Sequence, residues 1–141
     1  MIPIIENTYA SKGLYQELLN PLCRKYQLTD TQLVILLYLE DSNPADSAAM
    51  IMHSQRLKKS VVSNSIAELK KKGLVSSSFH EGNRKTKHLQ IAESARPIIE
   101  EAKKIQEDYV AILTKGLAKE ECEELNLLID KVNRNMQEYG K

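Results

Sequence analysis

The sequence predicts a mainly α-helical fold that carries one small β-hairpin, and three observations predict it. Apolar residues recur at three- and four-residue steps over most of the 141 residues, the period of helices that bury one face. Between Leu74 and Ile91 that period gives way to two short runs rich in Ser, Thr, Val and Phe. They flank His80-Glu81-Gly82-Asn83-Arg84-Lys85, a stretch of turn formers and cations. Charge is balanced overall, at +1, but not along the chain. From Ser54 to Gln90 nine basic residues face two acidic ones, a net +7; the remainder holds 11 basic and 17 acidic residues, a net −6. A basic middle within acidic flanks is the footprint of a polyanion-binding module on a non-binding scaffold.

The elements follow in order. Asn7 to Lys25 is expected to be helical, with Leu14, Leu18 and Leu22 on one face and Leu19 beside them. Gly13 weakens this helix and Pro21 ends or bends it. Thr29-Asp30-Thr31-Gln32 fits a capping box, Thr29 as N-cap and Gln32 at N3. The run Leu33 to Leu39 is apolar nearly all round, as a central buried helix requires. Asn43-Pro44 restarts the chain for a short helix through about Met52. Lys59 to Lys72 is the next helix, with Val62, Ile66 and Leu69 on one stripe. Lys70 to Lys72 suit the negative end of its dipole, and Gly73 is its stop. The strands are Leu74–His80 and Thr86–Ile91, a hairpin with a basic tip. Ile98, Ala102, Ile105, Tyr109 and Ile112 then define one narrow seam. Cys122, Leu125, Ile129, Val132, Met136 and Tyr139 define another. Such seams need a partner surface. Pro97 fits a first helical turn if Ser94 is the cap.

Composition removes several classes. The hydrophobic share of 42% and the charged share of 28% exclude wholesale disorder. The longest apolar run is far too short to cross a bilayer. MIPIIENTY lacks the basic n-region of a signal peptide, and Cys23 and Cys122 make no disulfide framework, so a cytoplasmic protein is expected. An aromatic share of 5%, without Trp, speaks against a stacking-type single-strand binder. There is no Gly-rich phosphate loop, no HExxH and no nucleophile–base pair with an orienting third group, so neither an enzyme nor a cofactor is expected. His53, His80 and His88 are scattered, and no metal site is expected.

A short helix followed by a basic amphipathic one is a helix-turn-helix, and the hairpin after it is a wing. The fold expected is therefore a winged helix-turn-helix in a single domain over 1–141. Residues 29–92 form the DNA-binding core, and 1–25 and 94–141 form dimerisation helices. A two-fold dimer would place two basic helices in successive major grooves of double-stranded DNA. With Val62, Ile66 and Leu69 inward, the opposite surface presents Lys59, Ser60, Val61, Ser63 and Asn64. Ser60, Ser63 and Asn64 suit base edges or phosphate oxygens, Asn64 a bidentate bond to adenine, and Val61 a thymine methyl. Lys71, with Lys58, Lys70 and Lys72, meets phosphate or solvent. Arg84 and Lys85 at the tip suit a narrow A·T-rich minor groove. Lys87 and His88 lie on the returning strand, where one of them touches phosphate. Cys23 stands beside Arg24 and Lys25, cations that lower a thiol pKa, which keeps redox sensing open against a merely packed thiol.

SVVSNSIAELKKKGLV, EGNRKTKHLQI and IAESA, at 60–75, 81–91 and 91–95, carry a resemblance. In element order and length the chain resembles the multiple-antibiotic-resistance regulator (MarR) family. Residues 60–75 are similar to that family's recognition helix and its exit into the wing. Residues 81–91 are similar to the wing, with Asn83-Arg84-Lys85 where the family usually has an Asp-Arg-Arg tip. Residues 91–95 are similar to the entry to the fifth helix. His53-Ser54-Gln55-Arg56 stands where the family has a small or glycine-containing turn. The resemblance implies a homodimeric transcriptional regulator, a repressor on a pseudo-palindromic operator released by a small-molecule effector. It also implies a phenolic-ligand pocket, which Tyr15, Arg24 and Tyr38 would border. Peroxide-sensing relatives use a cysteine in the first helix, the helix of Cys23. Zinc-sensing relatives use histidines on the fifth helix, and ARPIIEEAKKIQEDY holds none. The alternative is a winged-helix protein-interaction module acting on another regulator without touching DNA; the +7 segment argues against it.

Overall fold

The computed structural model describes residues 1–41, 46–80 and 82–139. Among these, six helices and one hairpin run in the order α1 (Pro3–Tyr26), α2 (Asp30–Asp41), α3 (Ala48–Gln55), α4 (Lys59–Lys71), β1 (Val75–His80), β2 (Asn83–Ile91), α5 (Arg96–Leu113) and α6 (Lys119–Tyr139). A 3-10 turn, Glu93–Ala95, precedes α5. The chain divides into two compact units, Met1–Gln106 and Glu107–Lys141.

The first unit is built around α2. Leu33, Ile35 and Leu36 are fully buried there, with Leu39 close behind. Its start is the expected capping box: Gln32 N donates to Thr29 Oγ1 at 3.2 Å, and Thr29 N donates to Gln32 Oε1 at 3.1 Å. Around α2 pack Leu19, Leu22 and Cys23 of α1, Ile51 of α3, Val62, Ile66 and Leu69 of α4, Val75 and Leu89 of the hairpin, and Ile98, Ile99 and Ala102 of α5. Burying each large aliphatic side chain contributes about 1.5–3 kcal/mol, so this cluster fixes where α4 and the hairpin stand.

The element ends depart from expectation in instructive ways. α1 starts at Pro3, four residues before Asn7, because a first-turn proline has no N–H to lose. It also continues past Pro21. Its first half leaves Ile2, Ile4, Ile5 and Tyr9 exposed. The expected cap at Asn43-Pro44 lies outside the described residues. α3 is capped instead by Ser47, whose Oγ accepts from Met50 N at 3.2 Å, and it runs past Met52 to Gln55.

Three helices stop alike. Gln27, Arg56 and Gly73 adopt φ of 55°, 52° and 73°. Leu28 N, Leu57 N and Leu74 N then reach back to the carbonyls of Cys23, Met52 and Leu69, the Schellman pattern with a hydrophobic residue after the left-handed one. Ser94 is not the cap of α5. It lies in the 3-10 turn, where its hydroxyl donates to the Gly73 carbonyl at 2.6 Å and ties the start of α5 to the end of α4.

The hairpin is antiparallel, with Val75↔Ile91, Ser77↔Leu89 and Phe79↔Lys87 on one face. Between Phe79↔Lys87 and His80↔Asn83, β2 advances four residues while β1 advances one. The expected basic loop is therefore a bulged part of β2, and the strand begins at Asn83 rather than Thr86. In the second unit α6 buries no residue, and Leu125, Ile129, Val132, Met136 and Tyr139 are exposed. The seam starting at Ile98 is not wholly a partner-facing seam, because Ile98 and Ala102 belong to the core of the first unit.

Candidate nucleic-acid interface

α4 is positioned by one face. Val62, Ser65, Ile66 and Leu69 are buried, and the remaining surface is open. All six residues singled out on this helix, Lys59, Ser60, Val61, Ser63, Asn64 and Lys71, are exposed. They are not equivalent. At about 100° per residue, Ser60, Asn64, Ala67 and Lys71 fall within roughly 60° of arc opposite the buried face, while Val61, Ser63 and Lys59 lie on its flanks. Ala67, also exposed, escaped the sequence reading because an alanine carries neither a charge nor a hydrogen-bonding group. The buried stripe on its own would have found it.

The amino end of α4 is built for an anion. Its N-cap, Lys58, makes no side-chain cap bond, and no acidic residue stands in the first turn. Lys58 and Lys59 are exposed there, and so is Arg56 in the connection from α3. First-turn N–H groups, the positive end of the dipole and two lysines all favour a negative group at this end. In the absence of one they oppose the helix.

At the other end, the cations are partly engaged. Lys71 Nζ lies 3.8 Å from Glu68 Oε1, both largely exposed, a pair worth little. Lys72 donates to the Gln27 carbonyl and joins the end of α4 to the end of α1. On the hairpin, Lys85 and Lys87 are exposed, whereas the side chains of Asn83 and Arg84 lie outside the described set. His88 is turned toward Asp46. Its Nδ1 stands 2.7 Å from Asp46 Oδ1, both mostly covered, and Leu89 N donates to the Asp46 carbonyl at 3.2 Å. The segment ahead of α3 and the returning strand are thereby held together, which sets the hairpin beside α4. Among the described residues no cluster of three metal-ligating side chains occurs, and no helix is long and apolar enough to cross a membrane.

The MarR family sequence model matches residues 26–85, from the end of α1 through α4 into the hairpin. Over those residues, which span its winged helix, the chain is similar to the MarR family. Solved structures agree on the fold. A Listeria monocytogenes protein assigned to the MarR family of transcriptional regulators, complexed with 26mer DNA, is 20% identical. It covers 99% of this chain and 93% of its own, with a TM-score of 0.86. The transcriptional regulator SlyA is 16% identical over 98% of this chain and 96% of its own, with a TM-score of 0.83. Bordetella bronchiseptica BpsR, whose DNA binding is regulated by 6-hydroxynicotinic acid, is 19% identical over 92% and 97%, with a TM-score of 0.70. MarR family members are transcriptional regulators, not enzymes.

Two expectations drawn from MarR relatives concern Tyr15, Arg24 and Tyr38, and Cys23. Tyr15, Arg24 and Tyr38 stand in different surroundings. Tyr15 Oη accepts from Gln106 Nε2 at 2.9 Å, Tyr38 packs against the core, and Arg24 is exposed. A cleft of about 340 Å3 lies elsewhere, lined by Leu39, Glu40, Asp46, Leu89, Gln90, Ile91 and Arg96. Its charged groups already pair, Glu40 with Arg96 and Asp46 with His88. Cys23 is buried, and burial together with the Asp30 charge pushes its thiol up, opposite to the effect expected of Arg24 and Lys25. Lys25 is directed elsewhere, donating to Glu101 Oε1 at 2.6 Å, and the Tyr26 hydroxyl donates to the same carboxylate. A thiol held protonated is a poor redox sensor.

Proposed function

We propose that this chain is a sequence-specific MarR-family regulator that binds double-stranded DNA as a homodimer, represses transcription from a pseudo-palindromic operator, and is released by a small-molecule effector. One observation carries the DNA reading. α4 turns an open polar face outward, with an anion-favouring amino end, and a hairpin bearing exposed Lys85 and Lys87 is fixed beside it. In this reading Lys59, Ser60, Ser63 and Asn64 meet bases and phosphates in the major groove, and Lys71 meets phosphate. Arg84, Lys85 and Lys87 follow the adjacent minor groove. The Listeria protein complexed with DNA supports the same docking by fold.

Residues 29–92 are the DNA-binding core in this reading, and 1–25 with 94–141 are the dimerisation segments. Apolar side chains in each unit support that division. Ile2, Ile4 and Ile5 on the first, and Leu128, Ile129 and Val132 on the second, are exposed in a single chain, and a second copy would cover them. Release by an effector is supported by BpsR, whose DNA binding 6-hydroxynicotinic acid regulates. Selection of bound duplexes from a random DNA library tests the whole. The expected result is an inverted repeat with half-sites about one helical turn apart, 10 to 10.5 base pairs. Recovery of no enriched sequence would refute the reading in favour of a protein-interaction module.

A further inference from the structure

The outward line of α4 holds one apolar group between its polar ones. Asn64 and Ala67 are separated by three residues, so they are neighbours on one helix face. Both are exposed, and with Ser60 and Lys71 between them they bound the roughly 60° arc opposite the buried face, about 60° nearer its centre than Val61 is. Val61, the residue that sequence reasoning would offer to a thymine methyl, is only 38% exposed. It stands about 40° from the buried Ser65, at the margin of the open face. A helix that enters a groove with its buried face toward its own core presents that arc most deeply, and Ala67 is the apolar member of it. The geometry points to Ala67 as the residue that reads a thymine, its methyl group packing on the C5-methyl of the base while Asn64 bonds an adjacent adenine. This inference rests on the DNA-binding reading and deepens it: the preferred half-site contains an A·T step read in the major groove by Asn64 and Ala67 together.

The chemistry is specific. In the major groove an adenine offers an N7 acceptor and an N6 donor, which one carboxamide satisfies in bidentate fashion, and a thymine adds a methyl that only an apolar group welcomes. Alanine suits the place for a further reason. Its short side chain lets the helix backbone approach the base edges, whereas a longer chain at 67 would hold Asn64 away from its adenine. The glutamate next to it, Glu68, leans to the flank and lies within 3.8 Å of Lys71, so it does not oppose the phosphates from the centre of the face.

The test uses the duplex that the full-length protein selects from the random library. Each thymine is replaced in turn by deoxyuridine, which removes the C5-methyl and nothing else. Wild type is expected to lose about fourfold in affinity at one thymine per half-site, the worth of one buried methyl group. Ala67→Gly should bind thymine and uracil duplexes equally at that position, a ratio in which any loss of helix stability cancels. Val61→Ala should keep the fourfold difference. Ala67→Leu should lose more than tenfold on every duplex while its melting temperature holds. Uracil sensitivity that disappears in Val61→Ala and persists in Ala67→Gly overturns the assignment, as does wild-type binding indifferent to every methyl. Failure of the wild type to select any duplex would remove the DNA-binding reading itself, and this inference with it.

Discussion

Glu40 joins α2 to α5, and replacing it by glutamine should expose how much that join is worth. Its carboxylate is 16% exposed and lies 2.6 Å from Arg96 Nη1 and 3.2 Å from Lys103 Nζ. It also sits in the last turn of α2, where no basic residue of that helix offsets the dipole. Burial alone would push the Glu40 carboxyl up, but the hydrogen bonds from Lys103 and Arg96 outweigh it and hold the group below the usual range. Glu40→Gln keeps the shape and an acceptor while removing the charge. Exposed pairs are worth about 0.2–1 kcal/mol and loss of a buried partner about 3–5 kcal/mol. Here the carboxylate is covered and both cations are two-fifths exposed, which places the loss at about 1–2 kcal/mol. For a chain of this size that lowers Tm by about 3–8 °C. The sign with pH follows from the lowered carboxyl. Its contribution is complete above the unfolded-state value of about 4.3 and drains away as pH falls through the folded-state value. Thermal melts of both proteins should therefore differ fully at neutral pH and converge as pH falls below the unfolded-state value. Equal melting at neutral pH, or a gap undiminished in acid, would refute the reasoning.

Gly73→Ala should cost about 1 kcal/mol by denaturant titration, since φ is +73° and an added Cβ meets nothing within 4 Å, leaving backbone strain as the only penalty. Cys23→Ser should leave DNA affinity and its response to peroxide unchanged; a peroxide-induced release of DNA present in wild type and absent in the variant would restore the redox role. Ile129→Asp should abolish a stable dimer in light scattering and give aggregated or unfolded protein, because it charges the proposed interface. On the selected duplex Arg84→Ala should cost about 1–3 kcal/mol, and less where G·C pairs replace A·T under the wing. Lys71→Ala should instead weaken all sequences alike and flatten the log–log salt slope by about 0.9.

Periodicity made the core legible. The stripe Val62, Ile66 and Leu69 is buried as read, and so are Leu33, Ile35, Leu36 and Leu39 of the apolar run in α2, whose Val34, Leu37 and Tyr38 are partly covered, because burial of a helix face is a local property of sequence. The capping box at Thr29 was legible for the same reason, its two hydrogen bonds spanning three residues. Helix ends were less so. Only Gly73 announces a left-handed residue. Gln27 and Arg56 take that conformation against their own preference, because the leucine that follows each buries itself and pulls the chain round. The shared signal is Leu28, Leu57 and Leu74, an apolar residue directly after the turn, rather than the turn residue itself.

What sequence could not supply is the fate of each cation. A net +7 between Ser54 and Gln90 counts Lys72 and Lys71 equally with Lys58 and Lys87. The fold sorts them. Lys72 closes on the Gln27 carbonyl, and Lys71 shares its charge with Glu68. His88, which would add to the charge when protonated, faces Asp46. Each of these partners comes from the fold or from a helical neighbour, and two of the three are remote in sequence. Exposed basic side chains stand at the two ends of α4, Lys58 and Lys59 at the amino end and Lys71 and Lys72 at the carboxyl end, and on the hairpin, Lys85 and Lys87. Between them lies the nearly neutral line of Ser60, Asn64 and Ala67. Charge at the edges and short polar or apolar groups at the centre is the division that DNA itself imposes, because phosphates flank a groove and base edges floor it. A surface kept basic only for solubility has no reason to confine charge to the ends of its most protruding line.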